Sequence, residues 1–118
     1  MEDSYRRIAI DILTTFETDN KTLKEIFNLK LKNKNLSDVT KNRCRVTVNE
    51  VMRLKGILDV FIVKFSSRPI KNIQLEALTI LRIASYEMLF DNLIPNFAAV
   101  HSSVELGKTL VNKKVGSF

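Results

Sequence analysis

Two residues have side chains suited to covalent or metal chemistry, Cys44 and His101, and each is the only one of its type in the chain. A metal site needs several ligands at set spacings, and these two residues lie far apart in sequence. A nucleophile needs a base and an orienting group, and no serine elbow precedes His101 to complete such a set. We therefore expect Cys44 to be a small core residue and His101 to be an ordinary helix residue.

Phosphate-binding loops and acid–base pairs are not indicated either. The three glycines stand apart from one another, so they form no glycine-rich loop. None of the 13 acidic residues lies in an apolar context of the kind that raises a carboxyl pKa. These features predict a binding module without catalytic function on this chain, and no cofactor or metal is expected on it.

The charge distribution favours an anionic partner. The formal net charge is +6, and the excess lies in the stretch from Lys21 to Lys55, where ten basic residues face three acidic ones. The remainder has nine basic and ten acidic residues and is close to neutral. A basic segment beside a near-neutral one suits a surface that faces phosphate. A solvated, lysine-rich surface without a partner is the alternative interpretation.

The size and composition predict an all-α fold. A chain of 118 residues suits one domain, which we assign to residues 1–118. The chain has only 3 Gly and 2 Pro, which are the residues that form the turns between β-strands, so helices are favoured. We predict a compact bundle of six to seven helices. The chain ends on Phe118 just after a glycine, and we expect the natural chain to continue beyond it.

Apolar residues at helical spacing indicate where the helices lie. Tyr5, Ala9 and Ile12 belong to one apolar stripe of the first helix. Ser37 is suited to cap the third helix and Gly56 to end it. Pro95 interrupts the longest apolar segment. The predicted helices cover residues 4–17, 37–55, 57–65 and 70–91, and another begins at residue 96. A short second helix is predicted between the first two of these, with Leu23, Ile26 and Phe27 facing inward.

The cellular context follows from what the sequence does not contain. A lone cysteine permits no internal disulfide and suits a reducing cytoplasm. The polar, acidic first residues do not form a secretory signal. No apolar run reaches the roughly 18 residues that a membrane span requires. We expect a cytoplasmic protein with no membrane partner and no DNA partner.

Several motifs resemble those of NusB-like RNA-binding domains. The first helix contains Arg6-Arg7, followed by Ala9 and Leu13 at the family's spacing. The run from Ile80 to Met88, then Ile94-Pro95, then the segment from Ala99 to Lys108 follow the family's second-half signature in order and spacing. One departure is His101-Ser102, which stands where the family usually has Asn-Glu.

The resemblance implies an RNA-binding helical domain in one of two settings. One is the N-terminal domain of RsmB-type small-subunit rRNA cytosine-5 methyltransferases, to which residues 40–43 and 51–59 are similar. In that setting the S-adenosylmethionine fold forms a C-terminal methyltransferase domain beyond Phe118, and the RNA partner is rRNA. The other is the free-standing antitermination factor NusB, which binds leader RNA together with NusE. The methyltransferase branch is the favoured one.

The candidate RNA-binding residues come from two arguments. The resemblance points to Arg6 and Arg7, which we expect to lie opposite the buried stripe of the first helix, where guanidinium groups suit phosphate. Charge alone adds the basic residues Lys30, Lys32, Lys34, Lys41, Arg43 and Arg45. Tyr5 lies on the apolar stripe, and we expect it to pack in the core rather than stack on a base.

A separate pair of charged residues is expected to be structural. Arg82 lies in the most apolar helix, so we expect it to form an ion pair with Glu87, Glu105 or a helix C-terminus. Glu105 is a candidate for the same network. A third hypothesis for the whole chain, a helical interaction domain that does not bind RNA, also remains open. It predicts that RNA binding responds neither to salt nor to loss of Arg6 and Arg7.

Overall fold

A computed structural model of the chain describes residues 2–32 and 35–91. These residues form four α-helices and contain no β-strand, which agrees with the all-α prediction. The helices are α1 (Glu2–Thr18), α2 (Leu23–Leu31), α3 (Asp38–Ser66) and α4 (Leu75–Phe90), with a single 3₁₀ turn at Ile70–Asn72. The predicted number of six to seven helices is not confirmed. The helix predicted from Asn96 lies outside the described residues.

The chain divides into two compact units, Met1–Glu50 and Val51–Phe118, hereafter unit 1 and unit 2. Helices α1 and α2 and the first part of α3 belong to unit 1, whereas the rest of α3 and all of α4 belong to unit 2. The assignment of residues 1–118 to a single domain stays a prediction.

Unit 1 is built on the apolar stripe of α1, whose residues Ala9 and Ile12 are fully buried. Helix α1 packs against α2, which begins with a reciprocal capping box. The Thr22 hydroxyl accepts a hydrogen bond from the Glu25 amide at 3.2 Å, and the Glu25 carboxylate accepts one from the Thr22 amide at 2.8 Å. These two hydrogen bonds, above all the one with the Thr22 backbone amide, hold the pKa of Glu25 below its ordinary value.

Helix α3 starts as the sequence predicts but continues much further. The Ser37 hydroxyl accepts a hydrogen bond from the Thr40 amide at 3.1 Å, which confirms the N-cap. The prediction that Gly56 ends the helix is wrong, because α3 runs unbroken for 29 residues through that glycine. One glycine costs a helix about 1 kcal/mol relative to alanine. The buried side chains of Leu54 and Leu58 on either side of it offset that cost.

The end of α3 and the start of α4 are separated by the predicted turn. Ser67 has a φ of 58°, and its amide donates to the Val63 carbonyl at 2.9 Å, which closes the last turn of α3. Pro69 then leads into the 3₁₀ turn. The predicted start of the next helix at residue 70 is wrong. The extended backbone at Ile73 delays α4 to Leu75 and places the Ile73 side chain in the core of unit 2.

The core of unit 2 joins the C-terminal part of α3 to α4. Ile62 packs with Ile73, Ala77 and Leu78 in one buried cluster. Helix α4 is buried around most of its circumference, from Ala77 to Ile80 and from Arg82 to Glu87. Burial around most of the circumference requires a helix whose apolar residues cover more than one face, as those of α4 do.

Candidate nucleic-acid interface

The candidate RNA-binding residues differ widely in their exposure. Arg7, Lys32 and Arg45 are exposed, whereas Lys30, Lys41 and Arg43 are half-buried. Lys34 lies outside the described residues. The exposed and half-buried candidate residues come from α1, from α2 and the loop that follows it, and from α3. The positive charge of unit 1 is therefore carried by helices as well as by that loop.

Arg6 does not lie where the sequence was expected to place it. Its exposed fraction is 2 %, so the expectation that Arg6 and Arg7 both lie opposite the buried stripe is wrong for Arg6. Arg7 is exposed, as expected. Because consecutive residues of an α-helix point about 100° apart, one of two neighbouring arginines can be buried while the other faces solvent. In this arrangement Arg7, and not Arg6, is available to phosphate.

The Tyr5 ring brings two of the predicted residues together. The Arg6 guanidinium carbon lies 4.9 Å from the centroid of the Tyr5 ring, and that of Arg43 lies 5.3 Å from it. Both distances are within the range of a cation–π contact. Tyr5 is 4 % exposed, which confirms that it packs in the core. The sequence did not predict the contact of the Tyr5 ring with Arg43, which joins the start of α1 to α3.

Lys30 is engaged within unit 1. Its ammonium group lies 3.1 Å from a carboxylate oxygen of Asp11, so the pair links α2 to α1. The two side chains are 31 % and 52 % exposed, and the pair is therefore well solvated. A phosphate that approached Lys30 would compete with Asp11 for it, so Lys30 is a weaker candidate for phosphate binding than an exposed residue such as Arg7.

Arg53 is an exposed basic residue that the candidate set did not include. It lies on the part of α3 that belongs to unit 2, whereas the candidate residues belong to unit 1. Its sequence signal is its place among the ten basic residues between Lys21 and Lys55.

Cys44 is a core residue, as predicted. It is fully buried in unit 1, and this burial raises the pKa of its thiol to about 12, although the nearby charge of Arg45 acts in the opposite direction. A thiol with such a pKa carries almost no thiolate near neutral pH, and the thiolate is the reactive form. The burial of the thiol and its raised pKa therefore argue against Cys44 as a nucleophile.

Arg82 forms the structural ion pair that the sequence predicts, but with a different partner. Its Nε donates to Asp59 Oδ1 at 2.7 Å and its Nη2 donates to Asp59 Oδ2 at 2.9 Å. This two-pronged geometry ties α4 to α3 within unit 2. Glu87, one of the expected partners, is fully buried. Glu105 lies outside the described residues.

Metal-ligating side chains do not cluster in the part of the chain that the structure describes. Among the described residues, no group of three or more His, Cys, Asp or Glu side chains is placed to hold a metal ion. His101 lies outside the described residues. In the same part of the chain, no helix combines the length and the apolarity that crossing a bilayer would require.

The comparison with known proteins agrees with these features. The model of the NusB family matches residues 3–118, which is nearly the whole chain. The chain belongs to the NusB family. The resemblance drawn from the arginine pair and the second-half signature is thereby confirmed, and the all-helical architecture of the described residues is consistent with it.

Relatives of two kinds are similar to the chain. One is the probable ribosomal RNA small subunit methyltransferase B of Bacillus subtilis, 28% identical over 98% of this chain. The transcription antitermination proteins NusB of Acetivibrio thermocellus and Shewanella pealeana are 30% and 25% identical over 96% and 87% of it. The chain spans only 26% of the methyltransferase, but 79% and 76% of these two NusB proteins.

Proposed function

We propose that this NusB-family chain is an RNA-binding domain. The observation that carries the proposal is the set of exposed cationic side chains in unit 1, represented by Arg7 on α1, Lys32 just after α2 and Arg45 on α3. Half-buried Lys41 and Arg43 add to the same charge. Guanidinium and ammonium groups bind phosphate oxygens, and the resulting affinity depends strongly on salt.

The preferred ligand is single-stranded or looped RNA. Double-stranded RNA presents its bases in a deep, narrow groove that side chains do not reach, whereas loops leave phosphates and bases accessible. The candidate surface is made of helix side chains with a high share of arginine and lysine, which suits contacts to the backbone more than the reading of a defined sequence.

We further propose that the domain recruits small-subunit rRNA to a cytosine-5 methyltransferase. The similarity to the Bacillus subtilis methyltransferase over 98% of this chain supports this setting, as does the likeness of residues 40–43 and 51–59 to that branch. The catalytic cysteines and the S-adenosylmethionine site would then lie in a C-terminal methyltransferase domain outside these 118 residues. The role of this chain would be to bind and orient the RNA.

The alternative is a free-standing antitermination factor that binds leader RNA together with NusE. Its support is the similarity to transcription antitermination proteins NusB, among them that of Acetivibrio thermocellus, which is 30% identical over 96% of this chain. Cytoplasmic localisation is expected under either proposal.

RNA binding is tested by fluorescence anisotropy with a labelled single-stranded RNA oligonucleotide at several salt concentrations. For each phosphate contact, the slope of log affinity against log salt should be about −0.7. The double variant Arg7→Ala, Arg45→Ala should bind several-fold more weakly and with a shallower slope. The matched control is Lys64→Ala with Lys71→Ala, which removes two exposed positive charges from unit 2. A salt-independent signal, or equal losses for both pairs, would contradict the proposal.

The two settings are separated by adding purified NusE. An antitermination factor should bind NusE directly, and its affinity for leader RNA should increase when NusE is present. A methyltransferase recruiting domain should bind small-subunit rRNA fragments equally well with and without NusE. A reading frame that continues past Phe118 into an S-adenosylmethionine-binding fold would support the recruiting role, whereas an early stop codon would exclude it.

A further inference from the structure

The second half of α3, in unit 2, carries large apolar side chains that are exposed. Ile57 is 57 % exposed and Val60 is 69 % exposed, although Leu58 between them is fully buried. They are three residues apart and therefore lie on one side of the helix, and Lys64 lies one turn further along that side. Gly56, four residues before Val60, is also exposed. We call Gly56, Ile57, Val60 and Lys64 the outer face of α3.

The fold of the described residues does not explain why position 56 is a glycine. Gly56 lies inside the unbroken α3 and its φ is not positive, so the backbone is not of the kind that requires glycine. Beyond its chain neighbours and the helix backbone, no atom of the described residues lies within 4 Å of the position that a Cβ would occupy. Alanine would fit there and would favour the helix. What glycine does offer on a helix face is the close approach of another backbone.

The charges of this region indicate what kind of molecule would cover the outer face. Between residues 51 and 91, every charged residue that is exposed is a cation, namely Arg53, Lys64, Arg68 and Lys71. The carboxylates of the same range are buried or half-buried. A second copy of this chain would bring cations against cations, since the chain has a net charge of +6. An acidic partner would bring opposite charges together.

We propose that the outer face of α3 is a docking surface for an acidic amphipathic helix of another protein. The apolar residues of that helix would cover Ile57 and Val60, its backbone would pass close to Gly56, and its carboxylates would pair with Lys64. RNA phosphate would use the cation but would leave the two apolar side chains uncovered, and a lipid surface has no use for the missing side chain of a glycine. The proposed RNA-binding residues belong to unit 1, so this surface adds a second partner to the proposed function.

The test uses a fluorescein-labelled helical peptide of about 20 residues, with leucine along one side and glutamate along the other. Fluorescence anisotropy with the 118-residue chain should show saturable binding, at least about tenfold tighter than for a peptide in which lysine replaces glutamate. Ile57→Ser with Val60→Ser should weaken binding of the acidic peptide at least about tenfold. The matched control, Val39→Ser with Val46→Ser, removes two exposed valines from the unit 1 part of the same helix and should bind like the unaltered chain.

The variant Gly56→Ala separates docking from folding, because its two effects have opposite signs. Alanine should raise the urea midpoint of unfolding, since it favours the helix and its methyl group enters open space. The same methyl group should keep the partner helix at a distance and weaken binding of the acidic peptide several-fold. Unchanged peptide binding by this variant would overturn the close approach on which the proposal depends.

The other possible occupants of the outer face each give a result that would overturn the proposal. One is equal binding of the acidic and basic peptides, or no saturable binding of the acidic one. Another is self-association in analytical ultracentrifugation that Ile57→Ser with Val60→Ser abolishes. Displacement of the peptide by a single-stranded RNA oligonucleotide or by phosphatidylserine vesicles would assign the face to those ligands. A urea midpoint that falls in the outer-face variant but not in the control variant would show that this chain itself covers the face.

Discussion

The two compact units bury polar side chains in different ways. In unit 2, Arg82 is matched by the Asp59 carboxylate, and the hydroxyl of buried Thr79 donates to the Leu75 carbonyl at 2.9 Å. In unit 1, Arg6 lies over an aromatic ring, and the buried hydroxyl of Thr47 has no hydrogen-bond partner within the described part of the chain.

The difference lies in how well the described hydroxyls and charges are matched. The two-pronged contact of Arg82 with the Asp59 carboxylate ties two helices of unit 2 together. A buried hydroxyl without a partner costs free energy, so Thr47 marks a place in unit 1 where a polar group is not satisfied by the described residues.

The largest effect is expected from breaking the buried pair of unit 2. Arg82→Met should lower the free energy of unfolding by about 3 kcal/mol, because it leaves the Asp59 carboxylate without its guanidinium partner. Urea unfolding followed by circular dichroism measures the change. Adding Asp59→Leu should restore much of the loss, since the uncompensated charge is removed. A loss below about 1 kcal/mol would mean that the pair behaves as a surface salt bridge.

A pH-dependent loss of stability is expected from unit 1. The Cys44 thiol ionises near its ordinary pKa of 9.0 in the unfolded chain but near 12 in the fold, so the folded state binds one more proton in between. The contribution of the protonated thiol to the free energy of unfolding is therefore complete below pH 9. It decreases as the pH rises above 9, by up to about 1.4 kcal/mol per pH unit.

Urea unfolding at about pH 8 and about pH 10 checks this expectation. The protein should lose about 1 kcal/mol more between the two pH values than the Cys44→Ala variant does, because alanine removes the titrating thiol and leaves other groups in place. Identical losses in the two proteins would show that the thiol of Cys44 is not kept protonated by the fold.

The two buried threonines offer a direct comparison of the units. Thr47→Val should raise the free energy of unfolding by about 1 kcal/mol, because it replaces a buried hydroxyl that has no partner by a methyl group of similar size. Thr79→Val is the matched control. It removes a hydroxyl that is bonded to the Leu75 carbonyl, and it should be neutral or destabilising in the same unfolding measurement. If both variants raised the free energy of unfolding by a similar amount, the expected difference between the unpaired Thr47 hydroxyl and the bonded Thr79 hydroxyl would be contradicted.

Local sequence signals were enough to predict most of the helices. Three features depend on interactions between residues close in sequence, and the structure contains them as predicted. They are the apolar stripe containing Ala9 and Ile12, the Ser37 cap and the turn before Pro69. The prediction was wrong at Gly56, where the packing of Leu54 and Leu58 decides whether the helix continues. Such packing depends on residues distant in sequence and has no local signature.

The candidate site was harder to predict than the fold. Composition showed that the region is basic, but it could not show that Arg6 points into the core while Arg7 points outward, because both fit the helix equally well as residue types. The partner of Arg82 was missed for a related reason, since Asp59 is 23 residues away and was assigned to the start of a separate helix. Predicting a pair across that distance requires the packing of α3 against α4.

The smallest effect is expected from the solvated ion pair of unit 1, which is the counterpart of Arg82–Asp59. Lys30→Met should change the free energy of unfolding by less than about 0.5 kcal/mol, because Lys30 and Asp11 stay largely hydrated when paired at 3.1 Å. Asp11→Asn should behave similarly, and any loss should vanish in high salt.

Substitutions of Asp11 and Asp59 also allow the two ion pairs to be compared by their effect on RNA binding. Asp11→Asn removes an anion that competes with RNA phosphate for Lys30, so it should strengthen RNA binding slightly at low salt. No substitution of Asp59 should have this effect, because the partner of Asp59, Arg82, is buried. Anisotropy with the single-stranded oligonucleotide measures both. A gain on substituting Asp59, or an unfolding loss above about 1 kcal/mol for Lys30→Met, would show that the two ion pairs do not differ in kind.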